Sequence, residues 1–143
     1  MTPHTDLHAI LPWSYPFRMI DRLVRCVPHE SAVTTKAVTA DDPVMPRDAA
    51  AQPCFPSVLI LEGLSQSAAL LFRLSYGPDA LSGAPLLGYL KARMRGSVRP
   101  GDTLTYTVTA IKMTSRRGVF AGIARVGPTV IASTELAFGV SAP

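Results

Sequence analysis

Apolar and polar positions alternate through the second half of the chain. Over residues 103–111, Leu104, Tyr106, Val108 and Ala110 share one phase and threonines share the other. Over Thr129–Val140 the same period runs through Val130, Ala132, Thr134, Leu136 and Phe138. A period of two predicts antiparallel strands with one face buried. Pro100-Gly101, Arg117-Gly118 and Gly127-Pro128 read as the turns between runs. Residues 86–95 read as a further strand, and so do residues 31–39, which are rich in Val and Thr and hold no Gly or Pro. Ser57–Tyr76 is different. Its apolar residues fall on nearly every face of a helix, which predicts a helix buried nearly all round. Ser57 after Pro56 reads as its N-cap, and Gly77-Pro78 ends it.

Two stretches fit neither period. Residues 11–27 begin with Pro12 and Pro16 and turn apolar at Phe17, Met19 and Ile20. They read as a turn or short helix leading into a strand. Residues 41–56 carry Pro43, Pro46, Pro53 and Pro56 and the run Ala49, Ala50, Ala51. Proline removes ladder donors, so this reads as a long ordered loop. Loops of that length in compact domains are usually functional or disordered, and a functional one is expected here. The predicted architecture is α+β, with five or six antiparallel strands curled around one long central helix. It forms a single domain over residues 1–143, with residues 1–10 as a flexible N-terminal arm.

Composition narrows the function classes. The chain has 143 residues, 48% hydrophobic and 17% charged, which excludes a disordered polymer. A net charge of +4 is too small to argue for nucleic acid. Cys26, Cys54 and three scattered histidines make no zinc motif, so no metal is expected. Two thiols without a framework fit a reduced, cytoplasmic protein, and residues 1–6 show no secretory pattern. The apolar run over residues 58–74 is broken by Glu62, Gln66 and Arg73, so no membrane span is expected.

Several short stretches, taken in order, carry a resemblance. They are Leu11-Pro12, Tyr15-Pro16-Phe17, Asp21-Arg22, Pro53, Phe55-Pro56, residues 58–62 ending in Glu62, and then Gln66. Ala92-Arg93, Arg99-Pro100-Gly101-Asp102 and Arg116-Arg117-Gly118 follow. Together they resemble the FabZ-type (3R)-hydroxyacyl-acyl carrier protein dehydratases, over roughly residues 11–139. That resemblance implies a hot-dog fold and a site built across a dimer. A loop His of one subunit removes the α-proton, and a helix Glu of the other handles the departing hydroxyl. It also implies no cofactor, since the substrate rides on the phosphopantetheine of an acyl carrier protein.

Glu62 matches the family Glu. Ser57 and Val58 match the helix start, where a backbone N–H holds the thioester carbonyl. Phe55 lies against that start, and Gln66 matches a residue that lines the substrate path or supports Glu62, or else simply packs the helix against strand carbonyls. The family His falls on Asp48, a weaker base. Cys54 falls on an ordinary apolar position. Lys91, Arg93, Arg95 and Arg99 alternate as on one strand face, suited either to docking the acidic carrier or to plain solvation. Glu62 reads as a general acid or as a relic carboxylate, and Asp48 as a substitute base or a turn residue. Three functions follow. The chain is a dehydratase subunit in a homodimer or with a His-bearing partner, a non-catalytic partner of an active subunit, or a hot-dog thioesterase.

Overall fold

The computed structural model describes residues 6–46, 52–83 and 85–141. The elements in chain order are α1 (Leu7–Ile10), β1 (Arg22–Val27), β2 (Ser31–Ala37), α2 (Ser57–Tyr76), β3 (Pro85–Met94), β4 (Thr103–Thr114), β5 (Arg117–Val126) and β6 (Thr129–Val140). The six strands form one sheet in the order β1-β2-β4-β5-β6-β3, and every pairing is antiparallel. α2 lies across the inner face, chiefly against β4. This is the expected α+β hot-dog arrangement.

The alternation read from the sequence sets the sheet's two faces. Leu104, Tyr106 and Val108 on β4, Phe120 and Ala124 on β5, and Ala132 and Leu136 on β6 are fully buried under the helix. α2 meets them with Ile60, Leu64 and an unbroken buried stretch over residues 68–72. The helix is long and apolar enough to cross a membrane, yet here it is the core of the domain. Gly63 explains how closely it approaches the sheet. A Cβ there would overlap the hydroxyl end of the Tyr106 ring.

Several boundaries differ from expectation. Ser57 is the first helical residue and Pro56 is the N-cap, with no side-chain cap. Proline's fixed φ suits a helix start, so the chain turns into α2 without a capping hydroxyl. The β4–β5 turn is Ser115-Arg116, and Arg117-Gly118 already belongs to β5. Leu7–Ile10, within the stretch expected to be a flexible arm, forms one helical turn capped by Asp6 and buries Leu7. Gly77 ends α2 as expected, at φ 97°, a value that favours glycine.

Candidate active site

The N-terminal half of α2 carries an open face. Val58 is 69% exposed, and Leu61, Glu62 and Ser65 follow at helical spacing, each only partly covered. Phe17 and Tyr15 in the loop before β1 are also exposed. A carboxyl therefore stands half-buried on a helix face with exposed apolar side chains near it.

The Glu62 carboxyl is held from one side. Gln66 Nε2 donates to Glu62 Oε1 at 3.1 Å and to the Phe17 carbonyl at 2.8 Å. Gln66 Oε1 accepts the Met19 N–H at 2.9 Å. These backbone partners fix which way the buried amide points, so its remaining N–H can serve only Glu62. Burial pushes the Glu62 pKa up, and the Gln66 hydrogen bond opposes that in part. A carboxyl that keeps its proton to higher pH suits a general acid.

At the start of α2, the Ser57 and Val58 N–H groups find no acceptor among the described residues. Helix N-termini leave such donors free, and the dipole favours negative charge there. Phe55 is a core residue, 1% exposed, and its N–H donates to the Val98 carbonyl at 2.7 Å. It steadies the helix start from inside and presents no free surface to a ligand. Cys54 beside it is half-buried.

A buried ion pair organises the loop ahead of the helix. Lys36 points inward from β2, and its Nζ lies 3.1 Å from Asp42 Oδ2 and 5.6 Å from the centre of the Phe55 ring. Asp42 also shapes the loop, with its N–H to the Thr39 carbonyl and its carbonyl accepting from Met45. Sequence reasoning missed this pair. The signal was there, because Lys36 shares the inward phase of β2 with Ala32 and Thr34. Asp48 lies outside the described residues, between Pro46 and Gln52.

The expected cationic row is divided. Lys91 and Arg93 share a face of β3, opposite Glu135 and Ser133 of β6. β3 ends at Met94, and an irregular segment leads from there to the Pro100-Gly101 turn. Arg95 is just past the strand, its N–H still donating to Ile131. Arg99 sits in that loop, where its N–H bonds Asp102 and its guanidinium bonds Gln52 near the start of α2. Neither described histidine is hydrogen-bonded to Glu62. His8 Nδ1 bonds Arg18 at 2.7 Å, and His29 meets Tyr76 edge-on at the far end of α2.

The model of the FabA-like domain family matches residues 11–135. Among curated proteins, the chain is 38% identical over 131 residues to the 3-hydroxyacyl-[acyl-carrier-protein] dehydratase FabZ of Anaeromyxobacter sp. (strain K), covering 90% of this chain and 84% of that one. It is 35% identical to the FabZ of Enterococcus faecalis (strain ATCC 700802 / V583), covering 94% of each. Among solved structures it is similar to the dehydratase heterocomplex ApeI:P from Xenorhabdus doucetiae, with a TM-score of 0.81 at 16% identity, covering 99% of this chain and 93% of that one. It is also similar to the PaaI protein of E. coli, with a TM-score of 0.66 at 16% identity, covering 86% and 80%. At such identities the structural likeness shows the fold alone.

Proposed function

The chain belongs to the FabA-like domain family of FabZ-type dehydratases, and on that premise we propose that it supplies the carboxyl half of a 3-hydroxyacyl-thioester dehydration site shared by two subunits. A base removes the α-proton, the bond from C3 to its hydroxyl breaks, and Glu62 gives the hydroxyl a proton so that it leaves as water. The product is a 2-enoyl thioester. The free N–H groups of Ser57 and Val58 hold the thioester oxygen as charge develops on it. The reaction is redox-neutral acid–base chemistry and needs neither metal nor cofactor. The substrate comes on the phosphopantetheine of an acyl carrier protein, and Lys91, Arg93, Arg95 and Arg99 are the cations offered to that acidic carrier.

The observation that carries this reading is the Glu62 carboxyl, pushed toward its protonated form, held by Gln66 and left open on one side. A second subunit closes that side. β3 supports the expectation of one. It is an edge strand of ten residues that exposes Leu86, Leu87 and Tyr89, and an exposed apolar edge is a template for pairing. The similar ApeI:P structure from Xenorhabdus doucetiae is a dehydratase heterocomplex. We read the present chain likewise as one partner, in a cytoplasmic fatty-acid or polyketide pathway.

The base comes from the partner. Asp48 stands where the family carries His, and a free Asp has a pKa near 3.9 against about 6.5 for His. The same replacement favours a second reading, in which the chain stabilises an active dehydratase without catalysing.

The test is dehydration of a 3-hydroxyacyl-carrier thioester, followed by mass spectrometry for loss of water. The purified chain is assayed alone and then with a His-bearing hot-dog subunit that co-purifies with it. Silence alone, activity in the pair and loss of that activity in Glu62→Gln support the composite site. Turnover alone that disappears in Asp48→Ala makes Asp48 the base. Activity in the pair that ignores Glu62→Gln moves the chain to the non-catalytic reading, and release of free acid makes it a thioesterase.

A further inference from the structure

The outer face of the sheet carries a trough that the Glu62 chemistry does not use. Its volume is about 650 Å³, in the range of small-molecule sites. The floor is low because the side chains are small or absent. Val119 of β5, Ala137 and Gly139 of β6, and Gly88 of β3 line it. A Cβ on Gly88 would meet nothing closer than the Ala137 carbonyl oxygen, 3.9 Å away. The β3–β6 register slips between Leu87 and Tyr89, which places Gly88 as the extra residue beside the trough.

Charge along the wall is of one sign. Lys112 pairs with Val119, and Thr114 with Arg117, across the β4–β5 hairpin. Lys112, Thr114 and Arg117 are exposed and line the same trough. Neither cation has a carboxylate within ion-pair distance among the described residues, and no acid lines the trough. Glu135, the acid of β6, pairs with Lys91 and Ala121, one outward position further along the strand. An apolar floor with two unpaired cations at one wall is complementary to a chain that ends in negative charge. A strand added at the β3 edge would lengthen the sheet sideways and leave this face open.

We propose that the trough binds an anionic amphiphile, with its alkyl chain on Val119, Ala137 and the glycine backbones and its carboxylate or phosphate between Lys112 and Arg117. The site is separate from Glu62 and does not rest on the dehydratase reading.

Isothermal titration calorimetry of the full chain tests it, with dodecanoate, dodecyl phosphate and dodecyltrimethylammonium, each below its micelle concentration. Saturable one-to-one binding of either anionic ligand is expected, with the tighter of the two naming the head group. The cationic ligand binds about tenfold more weakly or not at all. Lys112→Glu with Arg117→Glu, and separately Ala137→Leu, each weaken the anionic ligand by about tenfold or more. All these positions face outward, and an unchanged Tm shows that the variants fold. Glu62→Gln binds like the parent, so loss of dehydration leaves this result untouched. Absence of saturable binding, equal binding of the cationic ligand, or affinity indifferent to the trough variants overturns the proposal.

Discussion

At the scale of the residue, Glu62 and Gln66 act as a unit. Glu62→Gln in the active assembly is expected to cut turnover by about 10²–10⁴-fold, the usual value of a positioned acid or base. The same carboxyl shapes stability against pH. Its folded pKa lies above the ordinary value of 4.5. Its contribution is therefore complete below pH 4.5 and is lost as pH rises through the folded value, where a half-buried charge must form. Urea denaturation across that window should show a decline in the parent that Glu62→Gln flattens. Gln66→Met removes the bond that lowers the Glu62 pKa and leaves the Met19 N–H without its acceptor. It should shift the basic limb of the activity profile to higher pH and cost about 1–3 kcal/mol of stability. A purely structural Gln66 would cost the stability and leave the pH profile in place. Tyr106 makes the opposite case. Its buried hydroxyl has no partner among the described residues, so Tyr106→Phe should leave Tm equal or raise it.

At the scale of the element, the ion pair between β2 and the following loop is the part most exposed to single changes. Lys36→Met leaves the mostly buried Asp42 carboxylate with only the Val44 N–H, 3.4 Å away, and should lower stability by about 1–3 kcal/mol in denaturant melts. Lys36→Met combined with Asp42→Leu should cost markedly less, because no unpaired charge remains. Most of the elements were legible in the sequence, because burial on one side of a strand writes a period of two directly into it. β4 and β6 follow Leu104, Tyr106, Val108 and Leu136 as read. The helix was legible through its composition and its Gly77 stop. What escaped were features set by contact across the chain. The Gln66 clamp depends on backbone atoms of Phe17 and Met19. The cationic row leaves the strand after Arg93, with Arg95 just past its end and Arg99 in the loop, since sequence parity cannot tell where a strand stops and a loop begins. The close fit of Gly63 under Tyr106 joins two residues with no local signal at all.

At the scale of the whole molecule, the domain has two strand edges, and they are unequal. β1 is short, with six residues, whereas β3 has ten and exposes Leu86, Leu87 and Tyr89. Leu87→Glu with Tyr89→Lys should therefore convert the assembly to monomers in sedimentation, and dehydration activity should fall with it. An assembly that persists would place the subunit contact elsewhere. The strand order adds a constraint of another kind. β3 emerges from the ribosome before β4 and β5, yet among the described residues its partner in the sheet is β6, the last strand to be made. Pairing so distant in sequence is slow to form. The strand offered to a second subunit thus waits, apolar and unpaired, until synthesis is nearly complete. Nascent chains arrested before residue 129 would carry that strand exposed, which makes this stage the one where a chaperone, or the partner itself, has the most to hold.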